Sequence, residues 1–150
     1  MAGVTDGRGR EPGAAGPPLL IVDAANVVGS VPDGWWRDRR GAAERLRDAL
    51  APVAAAGLPD GTAAPGWATG TPLEVVLVVE GAARGVAPVA GVAVESAPGS
   101  GDDLIADLAA RACAAAPDRP CLVITADRGL RARVTAAGAS YAGPRTVPRR

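Results

Sequence analysis

The chain has no histidine and no lysine, and only two of its 150 residues are cysteine. Without an imidazole there is no Ser-His-Asp or Cys-His activated nucleophile, no histidine general base and no zinc site built on histidine. Any metal must be held mostly by oxygen, which points to Mg²⁺ or Mn²⁺. Cys113 and Cys121 form neither a disulfide framework nor a CxxC pair and read as small buried core residues. Long apolar runs are missing as well. No stretch approaches the roughly 20 residues that cross a bilayer. Ala, Gly, Pro and Arg, not an apolar signal core, dominate the first eighteen residues. The expectation is a cytoplasmic protein with no membrane association.

What is present suits one globular domain. A length of 150 residues is about one domain's worth, and 48% hydrophobic against 21% charged residues supports a buried core. Charge is balanced at 16 against 16, yet every cation is Arg and eleven of the acids are Asp. The Arg-for-Lys replacement, with so much Ala, Gly and Pro, reads as the mark of a GC-rich coding sequence. It does not explain where the aspartates fall. A neutral net charge argues against a strong nonspecific nucleic-acid binder, although a local Arg patch could still grip phosphates.

Residues 1–18 carry chain breakers and no hydrophobic period, so a flexible leader is expected there. Leu19-Leu20-Ile21-Val22, ending in Asp23, is the pattern of a strand buried on both faces. A turn at Val31–Gly34 follows, and from about Asp38 the period becomes helical, with Ala42, Leu46, Ala49, Leu50 and Val53 on one face. Residues 57–72 read as a long surface loop. Further strands are expected at 73–80, 92–95, 121–125 and 139–141. Helices should open at Ser100–Asp103 and at Asp127, the latter closing at Gly138. A domain over 19–142 with a basic tail at 143–150 completes the division. Apolar strands alternating with amphipathic helices imply an α/β fold: a central, mostly parallel sheet of four to five strands covered by helices on both faces.

In such sheets ligands bind outside the carboxyl ends of the strands. Asp23 ends the first strand, Asp127 lies just past the fourth, and Asp102 and Asp103 begin the helix after the third. All would gather at one edge, where like charges repel unless a cation intervenes. Each also has a structural explanation. Ser100 to Asp103 fits a capping box, Asp127 fits an N-cap, and Asp23 could cap a turn with Asn26. Coincidence on one edge favours a shared function.

These segments resemble a known family. Leu20-Ile21-Val22-Asp23-Ala24-Ala25-Asn26 resembles the "VDGxN" opening of the NYN branch of PIN-like nucleases, with Ala24-Ala25 where Gly and an aromatic are usual. Gly101-Asp102-Asp103-Leu104-Ile105 resembles the "ADD(V/I)I" helix start, and Val123–Leu130 the "VVTSDRxL" segment. The pattern is most similar to bacterial YacP-like NYN proteins over roughly residues 19–142. The resemblance implies a three-layer PIN-like fold and an Mg²⁺ or Mn²⁺ site that hydrolyses phosphodiester bonds, usually in RNA. It implies Asp23, Asp102 and Asp127 as metal ligands, Asp103 as a further catalytic acid, and Asn26 and Thr125 as supports for the carboxylates. A family glutamate from an early helix has two candidate counterparts, Glu44 and Glu80.

Near the expected site, Trp35, Trp36 and Arg37 could stack bases and pair phosphates, and Arg128 and Arg131 could hold phosphate. The competing explanation is core packing for a Trp and solvated surface charge for the arginines. Three function classes follow: a metal-dependent ribonuclease, a metal-dependent hydrolase of nucleoside triphosphates, and a noncatalytic RNA-binding or partner-binding domain. Neither a phosphate loop ending in Gly-Lys-Ser/Thr nor the Glu-rich helix of a nucleotide pyrophosphohydrolase occurs in the chain, which weighs against the second.

Overall fold

Each apolar run becomes a strand because both of its faces are covered. The computed structural model describes residues 16–148. Within them the order is β1 (Leu19–Asp23), α1 (Ala24–Gly29), a 3₁₀ turn (Trp35–Arg37), α2 (Arg39–Ala56), β2 (Glu74–Val79), β3 (Val92–Ser96), α3 (Gly101–Ala115), β4 (Cys121–Ile124), α4 (Arg128–Ala137) and β5 (Ser140–Ala142). The five strands form one sheet in the order β3-β2-β1-β4-β5, and every pairing is parallel.

Alternate residues of each strand serve different layers, as the two-residue period demands. Leu20, Val22, Leu77, Leu122 and Ile124 face α1 and α2, where Val27, Leu46 and Leu50 meet them. Leu19, Ile21, Val78 and Val123 face α3 and α4, where Ile105, Ala109, Leu130 and Val134 complete a second core. Burying each of these larger aliphatic side chains contributes about 1.5–3 kcal/mol. The result is the expected three-layer α/β arrangement, with the fifth strand present and parallel.

Three regions depart from the sequence expectation. Residues 24–29, between the first strand and the turn at Val31–Gly34, form a short helix that the sequence pattern does not announce. Asn, two Val and Gly have weak helix propensity, but the fully buried Val27 and the cap from Asp23 outweigh it. The 57–72 segment is not a surface loop throughout, because Leu58 and Ala68 are buried and joined by a backbone hydrogen bond of 2.9 Å. Gly57 permits this close return. Its φ is +85°, and a Cβ there would stand 2.5 Å from the Thr71 carbonyl oxygen. Finally, residues 143–148 are not a free tail. A 3₁₀ turn spans Pro144–Thr146, and the buried Val147 packs into the α1/α2 core. Its apolar side chain, not the flanking arginines, decides the placement. Residues 1–15 of the expected leader, and Arg149 and Arg150, lie outside the described residues.

The two halves of the sheet diverge from β1 and β4. The chain leaves β1 for β2 and β3 on one side, while β4 and β5 lie on the other. The carboxyl ends of β1 and β4 therefore flank the point where strand order reverses, where open α/β sheets bind ligands.

Candidate active site

Four acids from separate parts of the chain lie along this edge. Asp23 is the last residue of β1, Glu80 follows β2, Asp102 lies in the first turn of α3, and Asp127 is the N-cap of α4. Asp23 is only 4% exposed. Its Oδ2 accepts from the Thr125 hydroxyl at 2.9 Å, and its Oδ1 accepts from the Asn26 amide at 3.3 Å. Thr125 Oγ1 accepts in turn from the Asp127 amide at 3.1 Å, so one buried hydroxyl joins the ends of β1 and β4. The Asn26 side chain adds a second tie, its Oδ1 accepting from the Ala126 amide at 2.8 Å. Asp127 Oδ1 accepts from the Leu130 amide at 2.8 Å.

The caps foreseen at Asp23 and Asp127 are thus present, whereas the capping box foreseen at Ser100–Asp103 is reduced to Ser100 accepting from the Asp102 amide at 3.1 Å, because Asp103 turns to Arg133. These caps do not neutralise the charge. Burial pushes the Asp23 carboxyl up to about 6, against the pull of the Thr125 and Asn26 hydrogen bonds, and the charges of Asp102 and Glu80 add to the elevation. Asp102 is raised from its ordinary value, first by desolvation and then by Asp127 and Glu80, with Arg133 opposing. Asp23, Glu80, Asp102 and Asp127 therefore form one repelling cluster. The N-termini of α3 and α4 point into it, and their partial positive charge offsets part of the repulsion.

Of the two candidate glutamates, Glu80 and not Glu44 lies beside the aspartates. Its Oε1 accepts from the Gly101 amide at 3.0 Å. A Cβ on residue 101 would stand 2.6 Å from that oxygen, so glycine is what lets the carboxylate sit on the helix end. Glu44 lies on α2 in a loose, exposed pair with Arg40 at 3.9 Å. Asp103 also separates from the cluster. Its side chain is 78% exposed and bonds Arg133 at 3.0 Å.

The expected substrate side chains divide. Trp35 is half-buried and Trp36 is 52% exposed. The rings meet edge to face at 6.0 Å, with Arg39 over Trp35 and Arg37 over Trp36. Arg128 is exposed on the first turn of α4 beside Asp127. Arg131 is held by the structure. Its Nε donates to the Thr125 carbonyl at 2.9 Å and its guanidinium lies 4.5 Å from the Tyr141 ring centre, bracing β4 against β5.

Two depressions flank the acids. A pocket of about 140 Å³ lies between α1, Trp35 and Glu80, and a groove of about 730 Å³ runs past Ala126 between Pro32, Thr62 and Arg145. A third depression, about 890 Å³, lies along α2 and Leu58–Asp60 and contains none of the four acids. Hard carboxylate oxygens that repel one another are the donor set that suits Mg²⁺ or Mn²⁺. Among the described residues, however, no three His, Cys, Asp or Glu side chains are already drawn together around one ion position. The oxygen donors match the chemistry of a divalent cation, but as placed the described residues do not form a ligand set for one.

A parallel sheet covered by helices on both faces, with carboxylates at its reversal point, is a three-layer α/β architecture consistent with a PIN-like fold. Comparison with solved structures agrees on the fold. The chain is similar to Rae1 (YacP) from Bacillus subtilis, in a W164L mutant structure, with a TM-score of 0.52 and 16% sequence identity over 85% of this chain and 70% of that one. No family model and no curated protein sequence matches. No helix among the described residues is long and apolar enough to cross a membrane.

Proposed function

We propose that this chain is a metal-dependent nuclease that hydrolyses phosphodiester bonds in RNA. The observation that carries the reading is the unneutralised cluster of Asp23, Glu80, Asp102 and Asp127 at the strand-order reversal, with Asp23 buried and pushed up to about 6. The NYN-like motifs and the fold likeness to Rae1 (YacP) support it.

Asp23, Asp102 and Asp127 would hold the ion, with Glu80 adjoining. Mg²⁺ or Mn²⁺ supplies Lewis acidity toward phosphate oxygens and water. The chain's own residues do the positioning. Thr125 and the Asn26 amide orient the two oxygens of Asp23, and the Asn26 side chain fixes the turn that presents Asp127. Arg128, exposed beside Asp127, would pair with a substrate phosphate. No covalent nucleophile is needed, in keeping with a chain that lacks histidine and lysine.

The test is hydrolysis by purified protein in millimolar Mn²⁺ of single-stranded RNA, structured RNA and nucleoside triphosphates, with melting curves in parallel. RNA cleavage is expected, together with a rise in melting temperature that grows with Mn²⁺ as ligand-linked stabilisation requires. Cleavage of triphosphates alone would replace RNA with nucleotides as substrate. An unchanged melting temperature with no hydrolysis would overturn the metal site.

A further inference from the structure

We propose that the pocket beside Glu80 seats one unstacked pyrimidine base of single-stranded RNA, placing the adjoining phosphate at the acid cluster. This deepens the nuclease reading and rests on it for the placement of the phosphate.

Size limits the occupant. The pocket measures about 140 Å³. A cavity of roughly 150 Å³ accepts one benzene-sized ring, whereas whole small-molecule sites occupy roughly 300–1,000 Å³. One six-membered ring fits, and the second ring of a purine would overhang. The lining suits a base as well. Ala25, Val28 and Ala83 provide apolar contact, and Trp35 provides an aromatic wall. The Arg39 guanidinium lies 5.4 Å from the centre of the Trp35 ring and braces it, so little side-chain freedom is lost when a base arrives.

Position completes the argument. Glu80 belongs both to this pocket and to the repelling acids, so a base in the pocket is one side chain away from the cluster. Arg37 and Arg39 stand over the Trp36 and Trp35 rings and offer cations to an approaching phosphate chain. A duplex could not use the site without breaking a base pair, whereas a single strand offers its bases freely.

The experiment is binding of hexamers of uridine and of adenosine, and of a uridine hexamer with one abasic position, measured in EDTA so that nothing is cleaved. The variant is Ala25→Leu, which adds bulk at an exposed lining position of α1 with a residue of good helix propensity. The uridine hexamer is expected to bind about tenfold more tightly than the adenosine hexamer. Ala25→Leu should remove that preference while leaving the salt dependence unchanged, since phosphate contacts are retained. The abasic probe should weaken binding without any change to the protein. Equal binding of both hexamers, or a preference that survives Ala25→Leu, would overturn the pocket. A uridine preference with no Mn²⁺-dependent hydrolysis would sink the nuclease reading and leave the pocket standing.

Discussion

The two edges of the sheet treat the same kind of side chain in opposite ways. At the amino edge Glu74 opens β2 and pairs with Arg119, whose Nε also donates to the Pro17 carbonyl at 2.7 Å. Backbone bonds from Leu19 to Pro120 and from Glu74 to Pro18, each 2.9 Å, tie the incoming chains to the strands. Charge and hydrogen bonding are settled there. At the carboxyl edge, among the described residues, Asp23, Glu80 and Asp127 accept hydrogen bonds from backbone amides and one hydroxyl. With sixteen arginines in the chain, cations were available. Arg131, close by, instead holds a carbonyl and a tyrosine ring. An edge that leaves its acids mutually repelled spends stability that the opposite edge retains, as expected where binding supplies the missing charge.

The comparison is sharpest as a function of pH. The Asp23 carboxyl lies at about 6 in the folded chain against an ordinary value of 3.8, so between these limits the folded protein binds more protons than the unfolded one. Stability must then fall as pH rises through this window, and remain lower above it. The total cost is on the order of 3 kcal/mol. Denaturant unfolding from pH 4 to pH 7 should show this decline in the parent and a flatter profile in Asp23→Asn. Parallel profiles would mean that Asp23 is not the strained group.

A second contrast lies within the aspartate doublet. Asp102→Asn should reduce Mn²⁺-dependent RNA hydrolysis by about a hundredfold, the upper end of what loss of support around a metal costs. Asp103→Asn should leave the rate within about twofold, because that carboxylate is engaged with Arg133 in solvent. Equal losses at both positions would place Asp103 in the machinery after all. The smallest effect belongs to the amino edge. Glu74→Gln should change stability by less than about 1 kcal/mol, as exposed ion pairs do, and leave hydrolysis untouched. A large loss there would erase the distinction between the edges.

Much of the scaffold is legible in the order of residues alone. Leu19–Val22 and Cys121–Ile124 are unbroken apolar runs, and only a strand covered on both faces buries such a run in so few residues. The caps at Ser100 and Asp127 follow from residue type, because few side chains can accept from the first free amides of a helix. Helix α1 is not legible, since Asn26, Val27, Val28 and Gly29 are weak helix formers in a six-residue segment, and burial of Val27 with the Asp23 cap holds it. Val147 is hidden for a similar reason. One apolar residue among arginines and prolines has no periodicity to announce it.

The candidate site divides along the same line. Asp23, Asp102 and Asp127 can be assigned to one edge from the alternation of strands and helices, because a parallel sheet places every strand's carboxyl end on the same side. The choice between Glu80 and Glu44, and the separation of Asp103 from Asp102, depend on which way each side chain turns. Glu80 is drawn inward by the Gly101 amide, and Asp103 outward by Arg133. Periodicity in the chain can place a residue on a face or at an edge, but contacts across 21 and 30 residues are set only when helices pack and bring distant donors and acceptors within bonding reach.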